Sequence, residues 1–276
     1  MLSSGSASGN FSSHKPFQLN QVSSARLSLD TYGGCKMATW VCHYSWRMDY
    51  LNKRKHFAEQ LGAPRLFDFI DQWQIYVGQQ NLSRFLTIFE VVRETANIDG
   101  DIAELGSWQG ANLMGIAKVL RHLGLDETKN LYSFDSFEGL TKPSIEDEFD
   151  ESQRGKYRGD FEKLSAAISL YGFEKTVILK SGLIEETVPD FVKLYPGKKF
   201  SLIYFDADFF GPAEVMFTYL APRLSVGGVI LLDEYGMKEW PGETKSADKF
   251  LNQNDNFISE KISTAKQPTL RITRVS

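Results

Sequence analysis

Two apolar runs, residues 200–205 and 229–232, each end in clustered carboxylates: Asp206 and Asp208 after the first, Asp233 and Glu234 after the second. Branched and aromatic runs of this length read as strands buried on both faces of a parallel sheet. A carboxylate is costly to bury within such a strand, so it belongs where the strand leaves the sheet. In open α/β sheets that carboxyl edge is where ligands bind. If the two strands are neighbours, four acidic side chains share one crevice, which suits a hard cation, general-base work, or both. Asp208 could equally cap a helix ahead of Gly211 and Pro212, and Asp233 and Glu234 could be solvated strand-end residues.

A second place for chemistry is the turn that follows residues 102–105. Glu104, Gly106, Ser107, Trp108 and Gly110 make a strand-to-helix turn in which glycine lets the backbone approach a ligand. The glycines are four residues apart with Trp108 between them, so the G-x-G-x-x-G pyrophosphate cradle is missing, as is a phosphate-loop Lys-Ser/Thr. That argues against a nicotinamide oxidoreductase and a nucleoside triphosphatase. Asp135, at the end of the next run and followed by Ser136, can take both hydroxyls of a ribose. Glu104 is placed to reach the positive amino-acid end of S-adenosylmethionine. A glycine-rich turn with an exposed acid is the plainer alternative.

These residues need elements to hold them. Strands are expected over 102–105, 131–134, 176–179, around Leu202 and Val229, and late around Ile258 and 270–275. Helices are expected over 111–123, 161–171 (with Gly172 as its stop), 186–194, 213–220 and 246–251. Pro189 would then sit in the first turn of its helix. This βαβ rhythm predicts an α/β fold with one doubly wound, mostly parallel sheet of seven strands. Ahead of it, Leu82, Phe85, Leu86, Phe89 and Val92 form one helical stripe in residues 80–96. Residues 35–76 are dense in aromatics, which fits a helical subdomain or lid and could also serve a self-interface in a homo-oligomer. Residues 1–34, rich in Ser and Gly, read as a disordered leader. The expected division is therefore 1–34 leader, 35–98 helical extension and 99–276 catalytic domain. The acidic run 146–151 reads as a solvated loop.

Bulk properties narrow the class. The 276 residues are 42% hydrophobic and 24% charged, as in an ordinary globular protein, and a net charge of −4 gives no reason to expect a nucleic-acid partner. No apolar stretch reaches the roughly 18 residues of a membrane span. Two cysteines, Cys35 and Cys42, are too few for a disulfide framework and read as free thiols in a reducing cytoplasm.

Taken together, the motifs resemble the macrocin O-methyltransferase family. The resemblance is carried by Val77-Gly78 with Asn81-Leu82 and the helix to Asp101. It is carried further by the turn from Glu104 to Gly110, the block from Phe134 to Leu140, the pair Asp206 and Asp208, and the block from Asp233 to Gly236. It spans roughly residues 73–250. It implies a Rossmann-like class I methyltransferase that methylates a sugar or glycoside hydroxyl using S-adenosylmethionine and Mg²⁺. It further implies Asp206, Asp233 and Glu234 as Mg²⁺ ligands and Asp208 as general base. Glu104, Gly106, Ser107, Trp108, Asp135, Ser136, Gly182 and Asp206 would form the cofactor site. The family usually has aspartate where this chain has Glu234, which reaches one methylene further. The competing readings are a metal-dependent catechol-type O-methyltransferase and a non-catalytic binding protein of the same fold.

Overall fold

The computed structural model describes residues 36–148 and 151–276, with side chains from Met48 onward. The expected leader, Cys35 and the side chain of Cys42 lie outside the described residues. The chain divides after Ser45, and the sheet and all the sites below lie in the second unit, Trp46–Ser276.

Seven strands form one sheet: β1 (Asp101–Leu105), β2 (Leu131–Asp135), β3 (Val177–Ser181), β4 (Phe200–Phe205), β5 (Leu224–Leu232), β6 (Phe257–Lys261) and β7 (Leu270–Arg274). Their order is β3-β2-β1-β4-β5-β7-β6. The first five are parallel, and β7 runs antiparallel between β5 and β6. Chain order reverses beside β1, so β1 and β4 are the neighbours that flank the switch point, where such sheets take ligands. The register pairs Leu105 with Phe205 and Phe205 with Leu232, which brings the residues just past each strand to one edge.

The helices are α1 (Lys36–Gln60), α2 (Leu66–Ile70), α3 (Trp73–Tyr76), α4 (Gln79–Glu94), α5 (Ala111–His122), α6 (Phe161–Tyr171), α7 (Ile184–Leu194), α8 (Phe210–Val215) and α9 (Pro241–Leu251). No described helix is long and apolar enough to cross a membrane. Both faces of the sheet are covered. Leu105, Phe134, Phe205 and Leu232 pack against Val188, Phe191, Ala213 and Met216 on one face. Ile102, Leu202, Tyr204 and Leu231 pack against Ile88, Val92, Leu113 and Ile116 on the other. Burying such apolar side chains stabilises the fold by about 1.5–3 kcal/mol each. Gly172 ends α6 in the left-handed conformation, as expected.

Five local expectations change. In α4 the buried face is Thr87, Ile88, Val91 and Val92, while Leu86 is exposed. Val92 is buried as expected and Phe85 and Phe89 pack against the same core, while Arg84, four residues before Ile88, turns inward beside them. α7 begins at Ile184, so Pro189 lies inside it and not in its first turn. α8 begins at Phe210 because Pro212 fits a first turn, whose N–H groups have no helical partners anyway. Pro241 likewise starts α9 five residues early. The acidic run is only partly solvated: Asp147 is buried and accepts hydrogen bonds from Ser144 N, Ser144 Oγ and Phe210 N.

Candidate functional site

The β1 turn is built around two carboxylates. Asp135, at the end of β2, accepts from the N–H groups of Ser107 (2.7 Å) and Trp108 (2.8 Å) through Oδ2, and from Phe137 N (2.6 Å) through Oδ1. This carboxylate therefore organises the turn besides facing the cleft. Glu104 is fully buried, and Ser107 Oγ donates to its Oε2 at 2.6 Å. Its Oε1 receives no donor among the described residues. Burial pushes the Glu104 carboxyl up to about 8, against the opposing pull of the Ser107 bond. Gly106 has φ +83°, and a Cβ there would lie 1.8 Å from the Asp206 carbonyl oxygen. Its glycine is demanded by the close approach of β4.

The acidic strand ends converge as the neighbouring strands predict. One oxygen each of Asp206, Asp208 and Glu234 lie within 4.8 Å of one another. Asp233 is placed differently: Tyr204 Oη donates to its Oδ1 at 2.5 Å and Arg84 Nη2 to its Oδ2 at 2.7 Å. Burial raises the Asp206 and Glu234 carboxyls well above the usual range, with the charge of Asp233 adding in the same direction. Burial and Asp233 likewise push Asp208 up to about 7. Asp208 adopts φ +61°, a conformation non-glycine residues seldom take and one that collects at functional sites. The helix-capping alternative for Asp208 does not hold, because Asp147 receives the Phe210 N–H instead.

A cleft is lined by Gly106, Trp108, Asp135, Ser136, Asp206 and Asp208, together with Leu140, Leu183 and Phe209. Glu104, Ser107 and Gly182 are not on this lining; Leu183 takes the place next to Gly182. A second pocket is lined by Arg84, Asp206, Asp208, Asp233, Glu234, Met237, Trp240 and Gln267. Trp108 and Tyr157 border both, their rings edge-to-face at 5.9 Å. The donor sets fit the implied groups. All-oxygen carboxylates suit a hard cation, and Glu234 Oε2 is buried without a donor. The unmatched Glu104 Oε1 suits an ammonium.

Several site residues carry no sequence signal of their own. Glu243 on α9 is fully buried and its Oε1 accepts from Glu234 N at 3.0 Å. Gln267 Nε2 donates to Glu234 Oε1 at 2.8 Å. Tyr204 and Arg84 hold Asp233. Arg84 was legible only through the helical phase of α4, which the apolar count misjudged.

Comparison with known proteins gives a consistent result. A 4'-O-methyltransferase of Streptomyces olivaceus acting on 8-demethyl-8-(2,3-dimethoxy-alpha-L-rhamnosyl)-tetracenomycin-C is 27% identical over 168 residues, 58% of this chain and 62% of that one. The mycinamicin III 3''-O-methyltransferase of Micromonospora griseorubida is 23% identical over 145 residues, 50% of this chain and 56% of its own. The matched stretches thus span less than two thirds of either relative. The crystal structure of CalS11, a calicheamicin methyltransferase, superposes with a TM-score of 0.67 at 20% identity, covering 81% of this chain and 91% of that one. Its likeness extends the Rossmann-like sheet to the class I methyltransferase fold. The family model described as Macrocin-O-methyltransferase (TylF) matches residues 49–265, which takes in strands β1 to β6 and every site residue above except Gln267. The chain belongs to the macrocin O-methyltransferase family.

Proposed function

We propose that the protein is a cytoplasmic S-adenosylmethionine-dependent O-methyltransferase that methylates a hydroxyl of a sugar or glycoside with the help of Mg²⁺. The observation that carries this reading is the meeting of two pockets at Asp206 and Asp208. One pocket has the acids of a cofactor site, and the other pairs carboxylates with the aromatic walls Trp108, Tyr157 and Trp240. Rings of this kind stack well on the apolar face of a pyranose. The sugar O-methyltransferases among the relatives support the same acceptor class.

Glu104 would bind the ammonium of the cofactor, and Asp135 the ribose hydroxyls with its remaining lone pairs. S-adenosylmethionine, when bound, supplies an electrophilic methyl group. Asp206, Asp233 and Glu234 would hold the cation, with Gln267 and the Glu243 carboxylate fixing the direction of Glu234. Mg²⁺, when bound, would lower the pKa of a hydroxyl by several units and so narrow a gap that a carboxylate base alone could not overcome. Asp208 takes the hydroxyl proton on a carboxylate oxygen, and its raised affinity for protons makes it a better base than an exposed aspartate. Trp108 and Tyr157 hold the acceptor against the cofactor cleft and exclude water.

A second reading is favoured by one distance: the three oxygens that converge within 4.8 Å include Asp208 in place of Asp233. Asp208 would then be a ligand. Calorimetry with S-adenosylhomocysteine and with Mg²⁺, alongside turnover, separates the two. For Asp208→Asn the base reading expects unchanged binding of both and a turnover loss of roughly 10³-fold. Loss of Mg²⁺ binding in that variant would establish the ligand reading instead. No binding of S-adenosylhomocysteine by wild type would sink the methyltransferase proposal, and turnover of aryl diols but not glycosides would replace the acceptor.

A further inference from the structure

Arg84 reaches from α4 to both acidic strand ends. Its Nη2 lies 2.7 Å from Asp233 Oδ2 and its Nη1 3.8 Å from Asp206 Oδ2. The Asp233 side chain is 0% exposed and that of Arg84 23%. Nε of Arg84 is buried and finds no acceptor among the described residues. A guanidinium that loses its water and leaves one donor unmet is held there by charge more than by ideal hydrogen bonding. Four carboxylates line the same pocket, and Arg84 is the one cation among the described residues that do so. A divalent cation taken up by those carboxylates would answer the same demand for positive charge.

We propose that Arg84 is a built-in counter-cation for the strand-end carboxylates, acting in competition with the divalent ion, so that α4 sets how tightly the ion is held. The inference rests on the metal reading above. In the metal-free protein Arg84 offsets the repulsion among Asp206, Asp233 and their neighbours. With the ion present, the same positive charge opposes it across a partly buried site. Arg84 therefore stabilises the metal-free fold and weakens ion binding. A residue that only packed α4 onto the sheet would, on removal, weaken both.

The test uses Mn²⁺ as the probe, with free Mn²⁺ followed by electron paramagnetic resonance and thermal melts recorded with and without the ion. The full chain is compared as wild type, Arg84→Gln, Arg84→Lys and Asp206→Asn. For Arg84→Gln the Kd for Mn²⁺ should fall by about tenfold or more. Its metal-free Tm should drop, and the gap between the two melts should widen. Arg84→Lys, whose single ammonium cannot span both carboxylates, should shift the same way by a smaller factor. Unchanged or weaker Mn²⁺ binding in whichever variant folds overturns the proposal, while loss of binding in Asp206→Asn alone leaves the metal reading standing. No Mn²⁺ binding by wild type or any variant overturns both together.

Discussion

The two edges of the sheet treat buried charge in opposite ways. At the amino edge, Asp101 accepts from Asn130 N at 2.9 Å and from Lys198 Nζ at 2.7 Å. Lys129 Nζ donates to the carbonyls of Ile98 and Gly100, both at 2.6 Å, and to Ser201 Oγ at 3.1 Å. Charge there is answered from within the chain. At the carboxyl edge, Glu104 Oε1, Glu234 Oε2 and Glu243 Oε2 are buried with no donor among the described residues. Burial raises the carboxyls of Glu104, Asp206, Asp208, Glu234 and Glu243 together. The same edge carries the left-handed backbones of Trp108, Tyr157 and Asp208. One edge completes its electrostatics at folding, and the other leaves them open for what it binds. Open charge and left-handed backbone of this kind collect at functional sites, which supports the proposed site at the carboxyl edge.

The largest effect that would break this comparison is expected at Glu104. Its folded pKa of about 8 lies above its ordinary value of 4.5. The neutral form is therefore favoured by folding, and no cost is present below about pH 4.5. The cost grows as pH rises towards 8 and is complete above it. Glu104→Gln should match wild type near pH 5 and be more stable by on the order of 3–4 kcal/mol near pH 9, in the absence of ligand. Chemical denaturation across that range checks it. If Glu104 holds the cofactor ammonium as proposed, the same variant should also bind S-adenosylhomocysteine more weakly. A flat difference between the variant and wild type across pH would mean that Glu104 is satisfied in a way its surroundings do not indicate.

At the amino edge the sign should reverse. Asp101→Ala leaves Lys198 and the Asn130 N–H without their acceptor, and Lys129 without its nearby negative charge. Lys198 is about a quarter exposed and can recover some water. The expected loss is about 2–3 kcal/mol at neutral pH, read as a lower urea midpoint with an unchanged slope. Cofactor binding per folded molecule should not change. A stabilising Asp101→Ala would mean that the two edges do not differ in the way described.

What the sequence made legible follows the same division. Strands β4 and β5 and their terminal acids were readable because apolar runs and carboxylates obey opposite burial rules, which fixes where the acids must emerge. The Glu104 turn and Asp135 were readable because each lies where an apolar run ends, at the carboxyl end of β1 and of β2. Arg84, Glu243 and Gln267 were not, because each reaches the site from an element more than eight residues away along the chain from the acid it serves. Their partners are set by packing. The phase of α4 shows how narrow the margin was: Leu86 counted towards a buried stripe, yet turning Ile88 and Val91 inward exposes it and brings Arg84 to the carboxylates. Pro189 misled because it lies inside α7, five residues past the helix start at Ile184. A proline excludes little from a helix's first turn, so it fixes a helix start only to within a few residues.

The smallest predicted effect concerns an acid beside the working edge that nevertheless behaves like one at the amino edge. Asp147 is 5% exposed, and its two oxygens accept from Phe210 N (2.7 Å), Ser144 N (2.7 Å) and Ser144 Oγ (2.8 Å). It thereby caps α8, directly after Asp208, and ties the long connection between β2 and α6 to it. Gly242 approaches so closely that a Cβ there would lie 1.8 Å from Asp147 Oδ1. Asp147→Ala should cost about 1–2 kcal/mol, as the loss of a helix cap does. Gly242→Ala should cost a comparable amount by displacing the same carboxylate. Because α8 carries the chain away from Asp208, both variants should also lower turnover by a few-fold while leaving S-adenosylhomocysteine affinity close to wild type. A variant that lost stability with turnover per folded molecule intact would separate the cap from the proposed role of Asp208, and would confine the open electrostatics of this edge to the strand ends themselves.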